Sequence, residues 1–495
     1  MELFFEKKEH YLMELVQLII DSDTTSIPIK DLAKQLKVDK KTVNSIVVYY
    51  DTIQLTESGL SLFIENNTVY GVMTETFLKA TLYQMLLRNN ILFKLCTEIL
   101  YGNFTDIKFF AEKYYYGAST VYRRLPLLKE ILNQYHISLD VRLGNNCLIG
   151  EEKQIRHFYY ELFFYAYGLD YTYLSKINFS LYQSIDHSVM VHLSNIPFPI
   201  QQKVKIYSYI SMVRVRNQLP IMNSIDYFET YDIQLDHTKL SSYFSTLLDF
   251  YRLPDNVKNN ETEFFCMYIS TIDVIGFSAF QTITIESINF DNEFTQLAKD
   301  WITAFTLHFN VQLSSQEFFF LLINLYYHFF RTYSLSGSSY LNFYENETNT
   351  ILTNDYLLYN IVKDFVDNLI KTNASFRKTE ANMMAYLYYL YIYLIKEIFL
   401  KGTFSIKICL FSSLMHAQKQ YIQNELQKQS PFFIDFVESV SDNPDVIISN
   451  FYYDFTILHP KQDCLILYIK TFPTYKDYRY VVEQIIEKVI KRRVS

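Results

Sequence analysis

Apolar residues recur three and four positions apart in the stretch IKDLAKQLKVDKKTVNSIV (29–47), which is the spacing of one face of a helix. The stretch IKFFAEKYYYGASTVYRRL (107–125) repeats this pattern 78 positions later, so that Ala111 takes the place of Ala33. In each copy a short polar step separates two helical segments. Two helices joined by such a step form a helix-turn-helix unit, whose second helix can enter the major groove of DNA. The repeat therefore predicts two helix-turn-helix units in series.

Alternation of apolar and polar residues follows each copy. The segments LSLFIENNTVYG (60–71) and ISLDVRLGNNCLIG (137–150) both alternate, and in both a pair of asparagines precedes a glycine by the same spacing. Alternation around an asparagine-containing turn predicts a β-hairpin. A helix-turn-helix followed by a hairpin is a winged helix, so we interpret residues 1–150 as a duplicated winged helix.

The second helix of the second copy has a composition suited to DNA. Ser, Thr and Tyr hydroxyls donate to phosphates, and arginines fork onto guanine edges or neutralise phosphates. No acidic residue lies between Lys113 and Lys129. The residues predicted to contact DNA here are Ser119, Thr120, Tyr122, Arg123, Arg124 and Lys129.

The corresponding helix of the first copy is less basic. Asp39 stands where an N-cap or first-turn residue would begin this helix, and it dilutes the positive charge. The residues predicted to contact DNA here are Lys40, Lys41, Thr42 and Asn44. For both copies the alternative is that these are solvated charges on a unit that contacts other proteins.

From residue 150 to about 400 the pattern is mainly helical, without a Gly-rich phosphate loop or sustained alternation. The stretches NETEFFCMYISTI (260–272) and SSQEFFFLLINLY (314–326) are alike, since each has Glu-Phe-Phe entering an apolar helix. Two related helical bundles are therefore plausible. The last 95 residues change to short β-branched strands and amphipathic helices, which predicts a small α/β domain.

Composition narrows the class of protein. The chain has 495 residues, 49% of them hydrophobic and 20% charged, and its net charge of −8 argues against a protein that coats nucleic acid with its whole surface. Residues 1–150 hold 16 Lys and Arg against 17 Asp and Glu, so they are the less acidic part. The five cysteines show no metal-ligand spacing, which favours a reducing cytoplasm and no metal site.

Nothing in the sequence is expected to span a membrane. The longest uncharged apolar stretch, ANMMAYLYYLYIYLI (381–395), is shorter than the roughly 20 residues required. The N-terminal segment MELFFEKKEHYL also lacks a signal-peptide core. No cofactor is predicted.

Taken along the whole chain, this order of domains resembles the Mga/AtxA type of transcription regulator of Gram-positive bacteria. A Gly-Glu-x-x-x-Ile-Arg stretch (Gly150, Glu151, Ile155, Arg156) adds to the resemblance. The resemblance implies a cytoplasmic regulator of virulence, surface-protein or metabolic genes that acts as an activator. Its paired N-terminal units would bind double-stranded DNA, and its bundles would be regulatory domains of the sugar phosphotransferase system (PRDs). Its tail would resemble an enzyme IIB domain.

The PRD resemblance also raises the question of phosphorylation. The position at which the family carries a phosphorylatable histidine is Ser270 in the first bundle and Asn324 in the second, which puts regulation at those points in doubt. An exposed imidazole elsewhere could accept the phosphate from the phosphocarrier protein HPr. The candidates are His187, His192, His237, His308 and His328.

In the tail, Cys409 lies where an active enzyme IIB carries its phosphocysteine, but the glycines that would cradle a phosphate are missing. We therefore expect a degenerate domain in which Cys409 is a buried strand residue. Its expected use is to hold two chains together as a homodimer.

The prediction is a multidomain, mainly α protein and a DNA-binding transcription regulator, not an enzyme. The expected domains are two winged helix-turn-helix units (1–72 and 73–165), two PRD-like bundles (166–290 and 291–400) and an enzyme IIB-like α/β domain (401–495). One alternative is an RNA-binding antiterminator with PRDs, although the helical repeat does not resemble the small β-domain of that class. The other is a phosphocarrier enzyme, for which no catalytic motif is found.

Overall fold

The computed structural model describes most of the chain. The described residues are 4–22, 25–53, 59–74, 77, 79–194, 196–222, 237–271, 293–309, 312–337, 365, 367–372, 376, 405–412, 414–430 and 432–487. The apolar stretch 381–395 lies outside them. The described residues fall into two compact units: one comprises the residues up to Thr271 together with Leu335–Gly337, and the other comprises the rest.

The first winged helix forms as the sequence predicts. Its elements are α1 (Lys7–Ile20), β1 (Ser26–Pro28), α2 (Ile29–Gln35), α3 (Lys40–Thr52), β2 (Leu60–Glu65) and β3 (Thr68–Met73). The strands form an antiparallel sheet in the order β1-β3-β2. Asn66 and Asn67 both have positive φ at the hairpin turn, which matches the right-handed twist of the flanking strands. The predicted hairpin over 60–71 is confirmed.

The second helix-turn-helix unit repeats the helices of the first but not its wing. Its elements are α4 (Lys79–Asn89), α5 (Ile91–Leu100), α6 (Ile107–Lys113), α7 (Ala118–Asn133), β4 (Ser138–Leu139), β5 (Leu148–Ile149) and α8 (Glu152–Tyr167). Helices α2 and α6, and α3 and α7, begin 78 positions apart, as the repeat predicts.

The hairpin predicted over 137–150 is wrong for most of its length. Strands β4 and β5 share only two residue pairs, and a 3-10 turn occupies Val141–Asn146 between them. Asp140 caps this turn by accepting a hydrogen bond from the backbone N of Arg142, and Gly144 supplies a positive φ. Because these local interactions form a 3-10 turn, the two asparagines do not form a two-residue hairpin tip here.

Four further helices pack on α8 or on one another to make the first bundle. They are α9 (Phe179–His192), α10 (Phe198–Arg216), α11 (His237–Leu248) and α12 (Asp255–Ser270). Aromatic rings fill the space between them: Tyr207 stacks on Tyr268 at 4.1 Å between centroids, and Phe244 stacks on Phe265 at 3.9 Å. The high Tyr and Phe content thus becomes packed core.

The second of the two compact units contains a helical part and an α/β part. Helices α13 (Glu293–Phe309) and α14 (Ser315–Ser334) pack together, with Trp301 fully buried between aromatic neighbours. The elements of the tail are compatible with the predicted α/β domain: β6 (Ser405–Phe411), α15 (His416–Gln429), β7 (Phe433–Val437), β8 (Val446–Ser449), β9 (Leu465–Tyr468) and α16 (Tyr475–Ile485). Its four strands are parallel, in the order β7-β6-β8-β9.

Candidate nucleic-acid interface

Helix α7 presents one polar, basic face to solvent. Val121, Leu125 and Leu128 are buried on its inner face. The exposed positions recur three and four residues apart, so they share one side of the helix. They are Ser119, Tyr122, Arg123, Pro126, Lys129, Glu130 and Asn133.

The turn that leads into α7 adds an exposed aromatic residue. Tyr115 has a φ of 59° and its side chain is 96% exposed, at the point where the chain leaves α6. Gly117 is the N-cap of α7, so Ser119 lies in the first helical turn and Thr120 beside it is half-buried. Tyr115 is not among the residues predicted from the sequence, although three consecutive tyrosines before a glycine are a visible signal.

Two lysines near this turn are held by the protein itself. Lys113 Nζ lies 2.7 Å from the carboxylate of the buried Glu98, and the Tyr114 hydroxyl donates to the other oxygen of Glu98 at 2.7 Å. Lys94 Nζ donates to the Tyr116 hydroxyl at 3.2 Å. These contacts fix the turn and leave the outer face of α7 to carry the free positive charge.

Arg123 and Arg124 are adjacent in sequence but have opposite surroundings. Arg123 is exposed, and no hydrogen bond or ion pair of its side chain is recorded among the described residues. Arg124 Nη2 instead donates to the backbone O of Phe4 at 2.8 Å, and its Nη1 lies 3.5 Å from Glu6. The Arg124 side chain is only 12% exposed, so the expectation that it faces outward is wrong.

The repeat contains the reason for this difference. The residue of the first copy that corresponds to Arg124, 78 positions earlier, is Ile46, which is completely buried. This position of the repeat, 46 in the first copy and 124 in the second, therefore faces the body of the protein in both copies. In the second copy the segment before α1 supplies partners to both Nη atoms of the Arg124 guanidinium, whereas its Nε has none among the described residues.

Helix α3 has a weaker version of the same face. Lys40, Lys41 and Asn44 are exposed, whereas Thr42 is half-buried. Asp39 caps the helix, as predicted, by accepting a hydrogen bond from Thr42 N at 2.6 Å, and this bond lowers the pKa of the Asp39 carboxyl. The capping carboxylate reduces the local positive charge at the start of α3.

A buried network ties this region to the first bundle. Arg156 on α8 makes two hydrogen bonds to Glu261 on α12, at 2.6 and 2.7 Å, and a third to Glu152 at 3.0 Å. Glu152 also accepts two hydrogen bonds from Arg214 of α10. Four charges from three helices thus balance one another in a site with little access to water.

A second buried chain of contacts starts at the end of α7. The Tyr135 hydroxyl donates to Glu161 at 2.8 Å, and Glu161 lies 3.5 Å from His157 on the same helix. His157 Nδ1 is 2.8 Å from the Tyr268 hydroxyl, and its Nε2 is 3.4 Å from the backbone O of Gly337. The helix that presents Arg123 is therefore connected through α8 to α12.

The candidate histidines have very different surroundings. His187 is exposed, and His192 and His308 are half-buried, the latter at 5.4 Å from the Phe365 ring. His237 is the first residue of α11, and its side chain lies outside the described set. His328 is buried, and burial together with Arg331 lowers its pKa to about 3. His328 is therefore not the exposed imidazole that a phosphate acceptor requires.

The residues at the expected phosphorylation positions belong to their own helices. Ser270 Oγ donates to the backbone O of Cys266 at 2.9 Å, and Asn324 Nδ2 donates to the backbone O of Phe320 at 2.8 Å. In the α/β domain Cys409 is 1% exposed on β6, and burial raises the pKa of its thiol. The expectation of a buried Cys409 is confirmed.

Comparison with known families bears on the segment that contains α7. Residues 75–163 match the family model described as the Mga helix-turn-helix domain. The chain carries a Mga helix-turn-helix domain. This Mga domain extends from the region of α4 into α8, so it includes the exposed face of α7 and suggests a DNA-binding transcription regulator. Among curated proteins nothing matches the chain.

Across the described ranges, no set of three or more His, Cys, Asp and Glu side chains is arranged to hold a metal ion. Among the helices that the structure describes, none is long and apolar enough to cross a membrane.

Proposed function

We propose that this chain regulates transcription by binding double-stranded DNA with the outer face of α7. The observation that carries the proposal is that Ser119, Tyr122, Arg123 and Lys129 form one exposed face inside the Mga domain. The face carries Arg123 and Lys129 against Glu130, so it has a net positive charge although the chain as a whole is acidic. Arg123 would fork onto a guanine edge or a phosphate, and the hydroxyls and Lys129 would bind phosphates.

Helix α3 would make a second, weaker set of contacts. Lys40, Lys41 and Asn44 are exposed at its start and can reach phosphates, whereas Asp39 opposes a close approach. Both helices belong to the same compact unit, so they would meet one duplex together. Each phosphate that the pair neutralises would steepen the salt dependence of binding.

Beyond DNA binding, we propose that the chain activates transcription, senses phosphorylation and assembles into a homodimer. We expect an activator in the cytoplasm that forms a homodimer through the α/β domain, whose buried Cys409 suits a structural use. The bundles would act as PRD-like sensors that receive phosphate from HPr. Among the histidine candidates, His187 best meets the requirement for an exposed imidazole.

The decisive test compares Arg123→Ala with Lys428→Ala in the full chain. Lys428 is an exposed lysine of α15, so its loss changes the net charge equally and controls for bulk electrostatics. DNA affinity would be measured by fluorescence anisotropy at several salt concentrations, on a duplex that the wild type selects from a randomised library. Loss of one good base contact costs about 1–3 kcal/mol, so Arg123→Ala should weaken binding roughly ten-fold or more.

Arg124→Ala provides the contrasting result. Because Arg124 binds Phe4 and Glu6, its loss should lower the thermal stability of the N-terminal units more than it weakens DNA binding at a temperature where the protein is folded. If Arg123→Ala bound the selected duplex as tightly as Lys428→Ala at every salt concentration, α7 would not be the DNA-binding helix. Tighter binding to a single-stranded RNA of the same sequence would favour an RNA-binding protein instead.

A further inference from the structure

The 3-10 turn that replaces the expected second wing carries an exposed arginine. Arg142 is the second residue of this turn, and its side chain is 85% exposed. Leu143 beside it is 52% exposed. Nothing in the sequence pattern selected Arg142, because the alternation around it predicts an ordinary strand.

Asp140 holds the guanidinium of Arg142 by one edge. Arg142 Nε donates to Asp140 Oδ1 at 2.8 Å, and Nη2 donates to Oδ2 at 2.6 Å. The backbone N of Arg142 donates to the same Oδ1 at 3.1 Å, so the carboxylate is fixed by the turn that it caps. A guanidinium bound along its Nε–Nη2 edge keeps the Nη1–Nη2 edge free, with two parallel N–H donors directed away from the carboxylate.

The pair is connected to α7 through strand β4, and the turn that carries it packs against α5. Strand β4 follows α7 directly and packs against it, and Asp140 comes immediately after β4. The hydrogen bonds from Arg142 lower the pKa of Asp140 to about 2, and the positive charge of Lys129 on α7 lowers it further. Asp140 is therefore ionised at neutral pH, and its charge offsets that of Arg142.

A neutral pair with two directed donors suits a base edge better than a phosphate. Asp140 repels a phosphate as strongly as Arg142 attracts it at long range, so the pair contributes little to nonspecific attraction. The two parallel N–H donors match two acceptors on the edge of one base, as on the O6 and N7 atoms of guanine. A fixed guanidinium also loses less entropy on binding than a mobile one.

We propose that Arg142, oriented by Asp140, is a specificity-determining contact that reads a base edge of the DNA beside the site of α7. This inference rests on the proposed function, since it needs the duplex that α7 binds. It assigns the two residues different tasks: Arg142 touches the base, and Asp140 is a positioning residue. The turn then replaces the missing wing as the second contact of this unit with DNA.

The test measures a ratio of affinities with the full chain. The probes are the duplex selected by the wild type and a shuffled duplex of the same composition, each at two salt concentrations. Arg142→Ala and Arg142→Lys should both lower the selected-to-shuffled ratio by about ten-fold, because lysine keeps the charge but cannot fork. Asp140→Asn should lower the ratio as well, while it strengthens binding to the shuffled duplex by removing a negative charge.

Each other outcome overturns the inference. An unchanged ratio in Arg142→Ala would show that the residue does not read bases, and an unchanged ratio in Arg142→Lys would show that only its charge matters. Equal weakening on both duplexes would identify a phosphate contact. If Arg123→Ala weakens binding while Arg142→Ala does not, only this inference fails; if neither variant weakens binding, the proposed function fails too.

Discussion

The buried pair Arg156–Glu261 allows a quantitative prediction for Glu261→Gln. The Glu261 carboxylate accepts two hydrogen bonds from Arg156 and one from the backbone N of Ile221 at 2.7 Å, and both charged side chains are about 1% exposed. A neutral amide at this position would turn an N–H toward one of these donors. It would also leave Arg156 to share Glu152 with Arg214. Removing one partner of a buried ion pair costs about 3–5 kcal/mol.

The assay is native-state hydrogen exchange of the full chain, followed in peptides from α8 and α12. A chain of several domains does not unfold in two states, so local opening is better defined than a single melting temperature. A loss of about 3 kcal/mol corresponds to roughly a hundred-fold faster exchange through local opening. Glu263→Gln is the matched control, because Glu263 lies on the same helix but is exposed.

Adding Arg156→Met to Glu261→Gln sharpens the test. The double variant leaves Glu152 and Arg214 as a balanced pair. Its loss of stability should therefore be smaller than the summed losses of the two single variants by about 2 kcal/mol or more. The reasoning would be refuted if Glu261→Gln exchanged no faster than Glu263→Gln, or if the two losses simply added.

Two further predictions concern a glycine and a histidine. An added Cβ at Gly337 would lie 2.4 Å from the Tyr135 ring, so Gly337→Ala should speed hydrogen exchange in residues 335–337. Ser336→Ala should not, because the contact of Ser336 to Gln154 is made by its backbone N. Equal exchange in both variants would contradict this prediction. The pKa of His328, lowered to about 3, means that the unfolded chain binds a proton below pH 6.5 that the folded chain does not. Between pH 7.5 and 5 the wild type should therefore lose about 2 kcal/mol of the free energy of local opening around α14 relative to His328→Gln, measured by native-state hydrogen exchange of both proteins at each pH, and parallel pH profiles would disprove the effect.

Local patterns in the sequence predict the elements that hold the candidate interface. The register of the repeat places the starts of α2 and α6, and of α3 and α7, at equivalent positions, because each copy must bury the same apolar face. The cap at Asp39 follows from short-range hydrogen bonding in the same way. The parallel α/β tail is equally visible, since its strands are β-branched and its helices are amphipathic.

Contacts between distant residues are what the sequence patterns do not contain. Arg156 and Glu261 are 105 positions apart, and no periodicity relates them. At residues 141–146 a 3-10 turn capped by Asp140 competes with a longer pairing of β4 and β5, and the capped turn is the structure that forms. The alternation of apolar and polar residues does not predict this outcome. The inward position of Arg124 was accessible through its correspondence with Ile46, but an arginine in that place looked like part of a basic face.

The different surroundings of Arg123 and Arg124 bear on how the two winged units would meet DNA. Arg124 and Asn90 both donate to the backbone O of Phe4, at 2.8 and 2.7 Å, so the segment before α1 is attached to the second unit. Tyr49 of α3 in turn donates to Glu9 of α1 at 3.0 Å. Helices α3 and α7 are thus linked through α1 by directed hydrogen bonds. Two such helices at a fixed separation would bind two segments of a duplex only at one spacing, which makes that spacing part of the recognised site.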